Sequence, residues 1–250
     1  MAIDRRVFLS GLGATVFARP VGAKAKSPTV FAHGGGIVHE QSYSEMRRLS
    51  GGSNTVFVSP YSGSDWQKTF REENYWFNQS GFGAVKLLPL TTIEEFRAAV
   101  SSAGIIWFCG GLQSLQMQRL RALSGATAVL KQAYESGVVM AGASAGAAVM
   151  SDLMISGGSS GNVNTGRGLG FLPRLVLDQH VVKRHREYRL TKVISANPSL
   201  IGVGINEETS VTFQDAQLKV LGLGPVIVTF VQDGVLHETR LKSGDRMNFG

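Results

Sequence analysis

Apolar, β-branched runs alternate with amphipathic segments along the first 140 residues. The stretches Thr29–Ala32, Thr55–Ser59, Ala84–Leu88, Gly104–Cys109 and Val138–Ala141 are short and nearly continuously apolar, which predicts strands buried on both faces. Between them, Tyr43–Leu49, Trp66–Ser80, Thr92–Ser101, Ser114–Leu123 and Thr127–Ser136 predict amphipathic helices. Strands alternating with helices in this way imply a parallel sheet with helices on both faces. Beyond Ser144 the pattern changes to shorter runs: Leu175–Leu177, Leu200–Ile205, Ser210–Gln214, Gln217–Leu221, Val226–Gln232 and Val235–Leu241. These predict short strands, some joined by hairpin turns such as Asp233-Gly234. The Gly-, Ser- and Asn-rich segment from Ser156 to Gly166 reads as a loop. The expected fold is a three-layer α/β sandwich with a mainly parallel central sheet, helices on both faces and antiparallel strands near the C-terminus. Such sheets bind ligands at the carboxyl ends of their strands. The glycines of Gly34-Gly35-Gly36, Gly110-Gly111 and Gly142-Ala143-Ser144-Ala145-Gly146 would all open on that edge.

The N-terminus changes the picture of where such a protein works. Arg5-Arg6 precedes a weakly apolar stretch from Ser10 to Ala18, and an Ala-x-Ala-like end follows at Ala23-Lys24-Ala25. Paired arginines, an apolar segment and small residues at the end describe a twin-arginine export signal. The apolar stretch is shorter than the roughly 20 residues a membrane-spanning helix requires. A mature chain starting near Lys26, cleaved after Ala23 or Ala25, and a periplasmic or extracellular destination are therefore expected. Residues 26 to 250 are then a single domain. The formal charge of +7 includes four cations (Arg5, Arg6, Arg19, Lys24) and one anion (Asp4) in the leader, so the mature chain carries about +4. No lysine-rich block or aromatic-basic interleaving tracks a nucleic acid, and none is expected as a partner. The one cysteine, Cys109, excludes an internal disulfide and sits in the apolar run Ile105–Cys109 as a small hydrophobe.

Ser144 carries the clearest chemistry. The apolar run Val138–Ala141 precedes it and the helix-forming run Ala147–Met150 follows, so the order is strand, sharp turn, helix. Small flanking residues permit the strained turn and leave the serine oxygen exposed above the sheet. The Ala145 N–H would face an oxyanion formed when that oxygen attacks a carbonyl. A serine nucleophile also needs a base and an orienting acid. His180, just after a short strand in a polar cluster, is the first choice of base and His33 the second, while His39, His185 and His237 read as surface residues. For the acid, Glu207 ends an apolar strand and Glu208 competes with it.

These residues resemble a known family. Gly142–Ala147, Gly168-Leu169-Gly170-Phe171-Leu172-Pro173, Asp178-Gln179-His180 followed by Arg184, Arg186 and Arg189-Leu190, and Gly204-Ile205-Asn206-Glu207 are similar to segments of the cyanophycinases. Phe108–Gln113 and Ser243-Gly244-Asp245-Arg246 extend the resemblance over nearly the whole mature chain. Cyanophycinases group with dipeptidase E among serine peptidases on a class I glutamine-amidotransferase-like fold. The resemblance implies Ser144 as nucleophile, His180 as base and Glu207 as acid, with Gly111 and Ala145 N–H groups forming the oxyanion hole. It also implies that Gln113, Asp178, Gln179, Arg184, Arg186 and Arg189 line the substrate pocket, where guanidinium groups suit a carboxylate-bearing substrate. No cofactor or metal is implied, and a homodimer is compatible with the family. Asn206 stands where the family has aspartate, Val181 replaces an aromatic, and Gly34-Gly35-Gly36-Ile37-Val38 lacks the acidic residues common after that run. The resulting expectation is an exported serine exopeptidase that hydrolyses cyanophycin, an aspartate-backbone polymer with arginine side arms, to β-aspartyl-arginine. The alternatives are an aspartyl or isoaspartyl dipeptidase and a silent binding protein on the same scaffold.

Overall fold

A computed structural model describes residues 27–159 and 161–249. The leader expected in residues 1–25 lies outside them. Five strands, β1 (Thr29–His33), β2 (Thr55–Ser59), β3 (Ala84–Leu87), β4 (Ile105–Phe108) and β5 (Val139–Ala143), run parallel. Three more, β10 (Thr209–Gln214), β11 (Gln217–Gly222) and β14 (Arg246–Asn248), extend the sheet antiparallel beyond β1, giving the order β14-β11-β10-β1-β5-β4-β2-β3.

The central strands are buried on both faces because their side chains alternate between two apolar layers. Val30, Ala32, Ile106, Phe108 and Met140 face one layer. Phe31, Ile105, Trp107, Val139 and Ala141 face the other. Helices α3 (Ile93–Ser102), α4 (Gln113–Ala122) and α5 (Ala126–Glu135) cover the first layer with Phe96, Val100, Met117, Leu120 and Leu130. Helices α1 (Glu40–Leu49) and α2 (Trp66–Gln79) cover the second with Tyr43, Met46 and Phe77. The expected three-layer α/β sandwich is the observed fold, with strand and helix boundaries shifted by only a few residues.

Two features depart from the sequence reading. The segment expected as a loop from Ser156 to Gly166 is mostly a β-hairpin, β6 (Leu153–Gly158) with β7 (Val163–Arg167). Its glycines hide the alternation, and Leu153, Ile155 and Val163 anchor it on a small apolar cluster. That cluster also holds Leu190, Val193 and Ile194 of α7 (Glu187–Ala196), a helix the sequence reading did not place. The second departure concerns the late strands. β8 (Leu175–Gln179), β9 (Ile201–Ile205), β12 (Val226–Gln232) and β13 (Val235–Leu241) form a separate four-stranded sheet, ordered β13-β12-β9-β8. This second sheet delivers the loops after β8 and β9 to the carboxyl edge of the first.

Candidate active site

Ser144 sits at the turn between β5 and the four-residue helix α6 (Ala145–Ala148), with φ 53° and ψ −113°. This backbone conformation is disfavoured for a residue with a side chain and is held by its surroundings. The Ser144 N–H donates to the His33 carbonyl at 2.8 Å, so the β1–β5 ladder fixes the base of the turn. The flanking glycines are required by space. A Cβ on Gly146 would lie 1.9 Å from the Phe108 carbonyl oxygen, and one on Gly142 would lie 2.5 Å from the Gly146 oxygen.

His180 follows β8 in the left-handed region (φ 54°), and its N–H donates to the Gly34 carbonyl at 3.0 Å. Its imidazole reaches Ser144 because Gly35, at φ 107°, carries no side chain: a Cβ there would fall 2.1 Å from His180 Cε1. Ser144 Oγ lies 2.8 Å from His180 Nε2, and His180 Nδ1 lies 2.6 Å from Glu207 Oε1. With Nδ1–H donating to the carboxylate, Nε2 is free to accept from the serine hydroxyl. The imidazole is buried and the Glu207 side chain partly so. Burial pushes the His180 pKa below its ordinary value of 6.5 despite the opposing bond to Glu207, and Arg184 adds to the depression. The bond to His180 holds the Glu207 carboxyl below the usual carboxylate range.

The neighbouring candidates separate cleanly. Glu208 turns away from His180 and pairs with His39 Nε2 at 2.8 Å. Its N–H donates to the Gly35 carbonyl, so the β1 and β9 loops are tied together beside Glu207. His39, expected as a plain surface residue, is half of that tie. His33 is fully buried and bonded through Nδ1 to Ser210 Oγ at 2.9 Å. Burial lowers its pKa to about 4, and its ring does not contact the serine hydroxyl. Asn206 Oδ1 accepts from the Lys183 N–H at 3.1 Å and shapes the loop after His180. Val181 is buried against Gly204 of β9, where a Cβ would fall 3.0 Å from its Cγ2.

Ala145 heads α6, where its N–H has no intrahelical acceptor. Gly110 packs against Ser144, with a Cβ at that position 3.5 Å from the serine Cβ, so the Gly110-Gly111 turn flanks the serine. Gly111 has φ 140°, and a Cβ on it would meet the Ser62 carbonyl at 2.6 Å. Both predicted oxyanion donors therefore belong to segments that adjoin the serine.

Ser144, His180, Gly35 and Gly110 line a cavity of about 580 Å³. The six residues expected to line a substrate pocket are not among the described residues that line this cavity. Gln113 is buried and donates to the Ile155 carbonyl at 2.9 Å. Asp178 and Arg189 are buried against each other, with Oδ1 and Nη1 3.2 Å apart. Burial raises the Asp178 pKa to about 6 even so, because the arginine offsets only part of the desolvation. Gln179 is buried and its Oε1 accepts from Arg186 at 3.0 Å. Arg184 is exposed, close enough to His180 to influence its charge. Residues the sequence reading missed, Tyr43, Glu73, Trp76 and Trp107, also line the cavity.

Comparison with known proteins places the chain in a family. The model of "Peptidase family S51" matches residues 30–221. A cyanophycinase of Trichormus variabilis is 33% identical over 165 residues, covering 61% of this chain and 55% of the relative. One of Synechococcus elongatus is 39% identical over 151 residues, covering 56% and 46%. The aligned stretch thus spans about half the length of these relatives. Among solved structures, a peptidase from an acI-B1 Actinobacterium superposes with a TM-score of 0.69 at 18% identity, covering 90% of this chain and 98% of the other. A putative peptidase E from Listeria monocytogenes superposes with a TM-score of 0.61 at 16% identity, covering 79% and 100%. The family match runs from β1 through β11 and contains the serine, the histidine and the glutamate that meet at the strand ends, and the chain belongs to peptidase family S51.

Proposed function

We propose that the chain is a serine peptidase of the cyanophycinase type, exported by its N-terminal leader, that hydrolyses cyanophycin to β-aspartyl-arginine. The observation that carries the catalytic part is the hydrogen-bonded series Ser144–His180–Glu207. In this reading Ser144 Oγ attacks the scissile carbonyl while His180 Nε2 takes its proton. The same nitrogen then returns the proton to the leaving amine. Glu207 holds the imidazole in the tautomer that presents Nε2 to the serine and stabilises the imidazolium. The N–H groups of Ala145 and Gly111 receive the negative charge that develops on the carbonyl oxygen. Water repeats the sequence on the acyl-enzyme and frees Ser144.

The substrate part rests on the likeness to cyanophycinases. The purified protein, incubated in parallel with insoluble cyanophycin and with free aspartyl and isoaspartyl dipeptides, should release β-aspartyl-arginine from the polymer. Hydrolysis of the free dipeptides alone would assign the dipeptidase activity instead. Ser144→Ala should lower turnover by about 10⁴-fold or more while leaving the fold intact. A variant that keeps most of its activity would refute the serine mechanism.

A further inference from the structure

Helix α2 places Trp66, Phe70, Glu73 and Phe77 at helical spacing along one face. Phe77 is fully buried and Phe70 packs against the same apolar cluster, so Glu73 occupies a position where the pattern calls for an apolar residue. The residue is partly exposed, and its carboxyl lies at the cavity beside Trp107 and Cys109. A carboxyl kept in such surroundings costs stability unless something pairs with it. The Trp107 indole N–H and the Cys109 thiol face it, yet the fully buried indole N–H falls short of hydrogen-bond geometry with any described group.

Glu73 lines the cavity that opens beside Ser144. Among the described residues that line it there is no lysine or arginine, although the chain as a whole carries +7. Its ionisable lining residues are Glu72, Glu73, Tyr43 and His180, and its aromatic ones are the buried Tyr43 and Trp107 and the exposed Trp76. Glu72 is exposed and 3.9 Å from Lys68, so Glu73 is the acid without a cationic partner in this cavity. We propose that the cavity is the subsite for a cationic side chain of the substrate, guanidinium or ammonium, with Glu73 as the residue that selects it and Trp76 at its rim.

A cation entering this cavity meets a carboxylate, with the exposed indole of Trp76 at the rim, and a carboxylate beside an aromatic ring is an arrangement that holds a cation. Burial pushes Glu73 up to about 7, with Glu72 adding to the rise and the Trp107 and Cys109 donors opposing it. The same carboxyl contributes to raising Tyr43 and Cys109 above their ordinary values. An arriving positive charge favours the ionised form of Glu73. The arginine arms of cyanophycin carry such a charge. The inference rests on Ser144 as the nucleophile, because adjacency to the attacking oxygen is what makes the cavity a specificity subsite.

Binding without turnover tests it. The Ser144→Ala protein is titrated by calorimetry with β-aspartyl-arginine and with β-aspartyl-citrulline, which has nearly the same shape but no charge. The arginine ligand should bind about 10-fold more tightly or better, equivalent to about 1.4 kcal/mol. Adding Glu73→Gln should bring the two ligands within about 3-fold of each other, without lowering the melting temperature, since glutamine matches the neutral acid in shape. Equal binding in the parent, a preference that survives Glu73→Gln, or no binding of either ligand would overturn the proposal. If Glu73→Gln does not fold, Trp76→Ala at the exposed rim should weaken the arginine ligand about 3-fold more than the citrulline ligand, and equal weakening would overturn it. Failure of the unmodified protein to cleave cyanophycin would count against the proposed function and leave the outcome of this titration standing on its own.

Discussion

At the scale of single residues, two adjacent glutamates with opposite partners give the sharpest prediction. Glu207 meets His180 and Glu208 meets His39, so Glu207→Gln should cut kcat by at least about 10³-fold while Glu208→Gln acts only through the loop it ties down. Steady-state kinetics of the two variants decides it, and a larger loss for Glu208→Gln would reverse the assignment. A second prediction concerns pH. His180 must be neutral to accept the serine proton, and its pKa lies below 6.5 because burial disfavours the imidazolium. The acid limb of kcat/KM should therefore have its midpoint below pH 6.5, with activity lost as pH falls through it. Arg184 also disfavours the charged ring, so Arg184→Gln should move that midpoint upward, and a pH–rate profile that does not move removes Arg184 from the electrostatics of the site. The sequence made Ser144, His180 and Glu207 legible because each ends an apolar run at the carboxyl edge. It left Glu207 and Glu208 open because consecutive residues cannot be told apart until the φ of 57° at Glu208 sets which way each turns.

Elements are held together by backbone approaches that only glycine permits. Gly146→Ala would force a methyl group onto the Phe108 carbonyl and should destabilise the fold by about 2 kcal/mol or more, read as a lower urea midpoint. Gly35→Ala would instead collide with the imidazole of His180, a side chain. It should abolish most activity with a smaller loss of stability, and a fully active Gly35→Ala protein would contradict the packing described. Helix α7 makes a different kind of link. Arg189 in its first turn pairs with Asp178 at the end of β8, both buried. Arg189→Met removes one partner of a buried pair and should cost about 3 kcal/mol, whereas Arg184→Lys on the exposed loop should change stability by less than about 0.5 kcal/mol. Equal melting temperatures for Arg189→Met and the parent would sink this reading. The offsets of Arg184, Arg186 and Arg189 from His180 rule out a common direction in sequence but do not say which arginine points where. The start of α7 separates them, turning Arg189 inward, bonding Arg186 to Gln179 and leaving Arg184 outside. The helix itself was hidden because Thr191, Val193 and Ile194 are weak helix formers, and their helicity comes from packing on Ile155 and Val176.

For the whole molecule, the export reading yields its own test. Changing both Arg5 and Arg6 to lysine should leave unprocessed protein in the cytoplasm, because the signal is read by a receptor and an ammonium does not reproduce the guanidinium fork. Normal processing of that variant, followed by cell fractionation, would point to the general secretory route. The alternation of apolar runs and amphipathic helices was enough by itself to fix the three-layer architecture, since period and length decide what a parallel strand or its covering helix can be. It was enough as well to bring Ser144 to the strand ends, because a strand, a small-residue turn and a helix leave the apex side chain nowhere else to point. Tertiary structure alone decided that β8, β9, β12 and β13 form a second sheet and that its loops carry His180 and Glu207 to the serine across Gly34-Gly35. It also decided that Glu73, written as one more charge on an amphipathic helix, faces the cavity instead of solvent. Those outcomes depend on contacts between segments far apart in the chain, such as His33 with Ser210, 177 residues on. Local periodicity carries no information about which distant segment will fill a given space.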